Sequence, residues 1–209
     1  MKRTVLLLVA ASAAYGFSIG LSNSWVYAIR NLIKFPLLIL STSTICALCY
    51  FVLARFLGAA LRFLDVQRIV LEVFRDTARL LASLGMVVAF LSLTMEPQTE
   101  RDLGGFPAFL GFNVVAIALC GGLTVYRCTH ALGEAVATRS QRRMLVASWL
   151  LASLLVGGQT CWLIRPFFGV STTANWESPW FSGSAPGFRG ARSFYEAVWF
   201  VLAPPDDRR

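Results

Sequence analysis

FPLLILSTSTICALCYFVLA, Phe35 to Ala54, is a block of twenty residues without a charge, bracketed by Lys34 and Arg55. A helix of that length rises about 30 Å, the thickness of a bilayer's hydrocarbon core. The block predicts a membrane-spanning helix, and comparable charge-free blocks occupy 4–22, 80–95, 108–126 and 144–164. Together they predict an all-α, polytopic transmembrane bundle of about five spans over residues 1–165, followed by an aromatic-rich tail over 166–209. The composition agrees. The chain is 56% hydrophobic and 14% charged, whereas soluble domains are about 45–50% apolar and about a quarter charged.

The net charge of +8 would suggest nucleic acid in a soluble protein. Here the cations sit between apolar blocks, so they set topology and imply no nucleic-acid partner. Five Lys and Arg lie between Arg55 and Arg79 and four between Arg127 and Arg143, against Arg101 alone in the acidic loop EPQTERDLGGFP. Positive segments stay in the cytoplasm. That places the N-terminus inside, the acidic loop outside and the C-terminal tail extracytoplasmic. A basic start with small residues, ASAA, also fits a signal peptide; apolarity continues past it, which favours an uncleaved span, and cleavage would leave the tail outside in either case.

Between the blocks, SWVYAIRNLIK (Ser24 to Lys34) reads as a short in-plane helix or a helical linker, with Trp25 and Tyr27 at the interface and Arg30 and Lys34 on a wet face. Pro36 then falls in the first turn of the second span. Arg62, Asp65, Arg68, Glu72, Arg75, Asp76 and Arg79 recur every three or four residues. They fill an arc of about 140° on a helix otherwise apolar, which predicts an amphipathic helix in the cytoplasmic interface. Arg62–Asp65, Asp65–Arg68 and Arg68–Glu72 have ion-pair spacing. A partner-docking face is the alternative. Ser12, Gly16 and Gly20 form a small-residue seam, read as internal packing with a dimer motif as its rival.

Chemistry-bearing patterns are sparse. Cys46, Cys49, Cys120 and Cys161 lie inside apolar blocks and Cys128 just beyond one, so no disulfide framework is predicted. His130 is the lone histidine, and no zinc-type spacing accompanies it. No catalytic, metal-binding or cofactor-binding residue is assigned and no cofactor is implied. A Cys46–Cys49 redox pair would stand mid-membrane without a base to form a thiolate. None of the blocks contains Asp or Glu, the usual carriers in pumps and coupled transporters. A polar path would have to use Thr42, Ser43, Asn113 and Gln159.

GGQTCWLIRPFFG, Gly157 to Gly169, ends the fifth block. Pro166 forces Arg165 out of helical geometry, so the span stops near Ile164. One reading makes Trp162 part of an interfacial belt and Arg165 a lipid-facing anchor. The sharper one makes Gln159 and Arg165 a buried polar pair fixing the tail, or a headgroup site; Arg165 anchoring the tail, with Glu196 the named acceptor, is favoured over plain snorkelling. The tail carries Trp176, Trp180, Phe181, Phe188, Trp199 and Phe200, too many aromatics for a solvated linker. SFYEAVWFVLA is too short to span and predicts an outer-face helix over Ala191 to Leu202, ended by Pro204 and Pro205.

Lys34, Pro36, Leu37 and Leu38, then Gly157, Gln159, Trp162, Arg165, Pro166, Phe167 and Gly169, then Phe194, Glu196, Ala197 and Val198 resemble the pattern of a family of small multi-pass bacterial membrane proteins of unassigned function. The resemblance implies a bacterial inner membrane and no particular activity. Three functions stand as expectations: a non-enzymatic accessory or scaffold subunit bound to lipid and to other membrane subunits or to its own copies, a transporter or channel component, and a membrane thiol oxidoreductase.

Overall fold

The computed structural model describes residues 2–21, 24–95, 105–131, 138–167, 179–182 and 190–202. Its described elements are all helical: α1 (Lys2–Gly20), α2 (Trp25–Phe56), α3 (Phe63–Thr94), α4 (Phe106–Ala131), α5 (Arg139–Ile164) and α6 (Phe194–Leu202). Five of them, α1 to α5, are long and apolar enough to cross a membrane. The acidic loop, most of the segment after His130, and Trp176, Phe188, Pro204 and Pro205 of the tail lie outside the described residues.

Two helices differ from the sequence reading in continuity. α2 runs unbroken for 32 residues, about 48 Å, so Ser24 to Lys34 forms no separate in-plane helix. It is the first third of α2 itself. Pro36 accordingly lies inside the helix, where it removes one backbone bond, to the Leu32 carbonyl. α3 likewise joins the amphipathic stretch and the third span in one helix of 32 residues. Val66 and Val70, on the apolar side of its first half, are buried against Tyr50, Leu145 and Trp149. The bundle, rather than lipid alone, covers that side. Of its charges, Asp76 pairs with Arg75 at 2.8 Å and with Arg79 at 3.9 Å. The three pairs expected from spacing are not among the ion pairs of the described residues; an exposed pair gains too little to fix two long side chains.

Helix ends follow local chemistry. Ser24 caps α2 by accepting from the Val26 N–H at 3.0 Å, and Thr138 caps α5 by accepting from the Gln141 N–H at 3.2 Å. Gly58 closes α2 at φ 78°, a left-handed conformation that a side chain would resist.

α1 and α2 are an antiparallel hairpin. A Cβ on Gly16 would strike the Asn31 carbonyl oxygen and Phe35 Cβ at 2.5 Å, and one on Gly20 would meet the Ala28 backbone. The small-residue seam is thus used for packing inside the chain. α5 runs antiparallel to α2, since Tyr50 stacks on Trp149 with ring centroids 4.6 Å apart and Thr42 faces Gly157. Ser92 of α3 donates to the Ser18 carbonyl of α1 at 3.0 Å, and Thr77 of α3 meets Thr124 of α4 at 2.6 Å. The starts of α1, α3 and α5 therefore share one end with the finishes of α2 and α4. That end gathers Lys2, Arg3, Arg55, Arg62, Arg127 and Arg139. One core cluster lies toward it, around Cys46, Tyr50, Val70 and Trp149. A second lies toward the other end, around Tyr15, Phe35, Leu81, Phe109 and Phe167.

Candidate functional site

The end opposite the basic one carries a polar junction that the sequence did not announce. Arg30, Asn31 and Lys34 are each 0% exposed, although the spacing placed Arg30 and Lys34 on a wet face. They are buried because the chain leaving α5 returns across them. Asn31 Nδ2 donates to the Phe167 carbonyl at 2.8 Å. Lys34 Nζ donates to the Pro166 carbonyl, also at 2.8 Å. The guanidinium of Arg30 lies 5.2 Å from the Trp180 ring centre, and the Lys34 ammonium lies 5.4 Å from that of Phe181. Ring faces attract cations, and a carbonyl oxygen is the acceptor a buried ammonium needs. The strap Trp180–Phe181–Ser182 closes over this pair of cations. Its own tie is the Ser182 N–H, which donates to the Arg165 carbonyl at 2.7 Å.

Arg165 is therefore joined to the tail, through its backbone. It is the C-cap of α5 with extended geometry, as the following proline requires. Its guanidinium carbon lies 3.4 Å from the Trp162 ring centre, and Nε donates to the Trp162 carbonyl at 3.1 Å. Partial burial holds its pKa below the usual arginine value. Trp162 is buried, 6% exposed, so it serves the junction more than an outward belt. Glu196 does not receive Arg165: its carboxylate accepts the Arg192 N–H at 2.9 Å, at the start of α6, where a negative charge suits the helix dipole. Gln159 is exposed and so makes no buried pair with Arg165.

α6 begins three residues later than expected, at Phe194, and packs on the bundle through α5. Tyr195 donates its hydroxyl to the Leu154 carbonyl. Leu154 lies ten residues before the end of α5, about 15 Å along its axis. The contact exists because Gly158, one turn on, has no side chain; a Cβ there would meet Tyr195 Oη at 2.6 Å and Phe194 at 3.0 Å. α6 also touches α4. Burial raises the Tyr195 pKa, so the hydroxyl keeps its proton and remains a donor.

The remaining sequence-selected groups are dispersed. Asn113 is buried between helices, accepting from Tyr15 Oη at 2.8 Å and donating to the Phe109 carbonyl at 2.8 Å. Ser43 donates to the Leu40 carbonyl at 2.9 Å, and Thr42 is buried against α5 at Gly157. With Gln159 on an outer face, these four do not line one path. Cys46 is 0% exposed within the first core cluster, and both Cys46 and Cys49 are free thiols. Among the described residues no group of three or more His, Cys, Asp or Glu could hold a metal. A small cleft of about 100 Å³ lies between α2 and α3, lined by Ser43, Thr44, Leu48, Phe63 and Gln67.

Sequence reasoning missed Arg30, Asn31 and Lys34 as a unit. The available signal was that Tyr27, Asn31, Lys34 and Leu38 recur at three or four residues, continuing the apolar face of the span outward with polar groups. No known protein family, no curated protein and no solved structure matches this chain.

Proposed function

We propose that the protein is a non-enzymatic scaffold or accessory subunit of a membrane assembly, held in a bacterial inner membrane with its N-terminus cytoplasmic. The observation that carries this reading is where the buried polar groups go. Tyr15 with Asn113, Thr77 with Thr124, Ser92 with Ser18, and Lys34 and Asn31 with the chain after α5 are all joints between elements. A transport path needs polar groups in line and free to exchange partners; here they fasten helices together. The gathering of Lys2, Arg3, Arg55, Arg62, Arg127 and Arg139 at one end supports the proposed orientation.

Purification in a mild detergent tests the reading. The expected result is a stable complex with another membrane protein or with further copies. Monomer alone, with no companion, overturns it. Liposome flux that depends on Thr42, Ser43, Asn113 or Gln159 would establish transport in its place. Orientation is tested with Asn175→Cys and a membrane-impermeant thiol reagent: labelling of intact cells with opened outer envelopes is expected, and labelling confined to inverted vesicles reverses the topology.

A further inference from the structure

We infer that α5 is the face on which a second copy of this chain docks, with Gln159 pairing with Gln159 of that copy inside the membrane. The inference deepens the assembly reading above and rests on it. Of the five apolar helices, α5 has the smallest buried share of its span, 22%, against 28–39% for the others. Along its open side Arg143, Ala147, Leu151, Leu155, Gln159 and Leu163 follow one another at intervals of four, and all six are exposed. Such rows form a ridge, and two i±4 ridges interlock at a crossing of about −50°.

Gln159 distinguishes this ridge from an ordinary lipid-facing one. It stands five residues before the end of α5, about 8 Å inside it, among leucines. Hydrocarbon offers no partner to a side-chain amide, and the groups around it on the ridge offer none either. An amide carries both donors and an acceptor, so it is complementary to itself. Across a two-fold axis each Gln159 NH2 donates to the other's carbonyl oxygen, and one residue satisfies the interface twice. Leu151, Leu155 and Leu163 supply the packing around it. The Tyr15–Asn113, Thr77–Thr124 and Ser92–Ser18 joints have their partners within the chain; the Gln159 amide is completed by a copy.

The test uses the full-length chain, labelled with donor and acceptor dyes and reconstituted in phosphatidylethanolamine–phosphatidylglycerol vesicles at decreasing protein-to-lipid ratio. Energy transfer should fall along a dimer curve. Gln159→Leu should shift that curve about tenfold toward monomer, while Gln159→Asn should recover part of the loss. The leucine faces outward, so at a dilution where both chains are monomeric the unfolding temperature of the variant should match that of the parent. In native membranes, a photo-crosslinking residue placed at Leu155 should give a covalent homodimer, and one at Phe90, exposed on α3, should not. An unshifted curve for Gln159→Leu overturns the inference. Adducts at Leu155 that carry a different protein overturn it as well and leave the assembly reading standing. Monomer in every arm, with no adduct, overturns the inference; the assembly reading falls with it only if the detergent purification above also yields monomer without a companion.

Discussion

The ammonium of Lys34 donates to the carbonyl of Pro166 at 2.8 Å, across 132 residues of chain. Its neighbour Asn31 does the same for Phe167. Two side chains of α2 thus hold two consecutive carbonyls of the segment leaving α5. Lys34→Ala leaves the Pro166 carbonyl without its donor and removes the aliphatic stem, a cost of about 2 kcal/mol. Asn31→Ala should cost a similar amount. The double variant should cost less than the sum, because either loss alone loosens the same segment. Unfolding midpoints in detergent give these values. The local readout is Ser182→Cys, whose reaction with a water-soluble thiol reagent should quicken in both single variants.

Tyr195 and Gly158 form a second coupled pair. Tyr195→Phe keeps the ring and removes the bond to the Leu154 carbonyl, which should cost about 1 kcal/mol. Gly158→Ala places a methyl 2.6 Å from the hydroxyl and should cost more, about 1–3 kcal/mol. In a Tyr195→Ala background only the Phe194 ring, at 3.0 Å, remains close to the alanine at 158, and its penalty should shrink. A double-mutant cycle on unfolding midpoints measures this. Equal penalties in both backgrounds would show that α6 does not rest on α5 at this point.

How far these arrangements could be read beforehand depended on their range. Phe35–Ala54 and its four companions declare themselves because the bilayer fixes both length and polarity locally. The end of α5 was legible for the same reason: Pro166 acts on Arg165, its neighbour. At Ser24–Lys34 and at Arg62–Arg79 charges signal water and so suggest segments separate from the spans, whereas α2 and α3 run through both stretches unbroken. In the structure the charges of α3 do line its outer side, while Arg30 and Lys34 are covered by a segment more than 130 residues away. Periodicity reports which side a residue faces; it carries no information about what distant chain comes to lie there. Glu196 shows the same limit. It is the only acid in SFYEAVWFVLA, yet it is engaged by its own helix start and not by Arg165.

The Tyr15–Asn113 bond joins α1 to α4 in the second core cluster and tests whether polar joints stabilise this bundle. Asn113→Leu leaves the buried Tyr15 hydroxyl without its acceptor, a cost of about 1–3 kcal/mol. Tyr15→Phe strands Asn113 Oδ1 at a similar cost. Combining them removes donor and acceptor together, so the double variant should be nearer to the parent than either single one. If each single change is silent, the bond contributes nothing and α1 and α4 are held by shape alone.

Glycines on the two faces of the bundle should respond in opposite ways. Gly20 lies where any Cβ meets the Ala28 backbone, and Gly121 of α4 has nothing within 4 Å of the same point. The backbone of a neighbouring helix cannot step aside as a flexible side chain can. Gly20→Leu should therefore separate the α1–α2 hairpin and cost about 3 kcal/mol or more. Gly121→Leu adds apolar surface toward lipid and replaces a poor helix former with a good one. It should leave the unfolding midpoint unchanged or raise it. Loss of stability from Gly121→Leu in native membranes alone, with the detergent-purified chain unaffected, would instead mean that another helix occupies that face of α4.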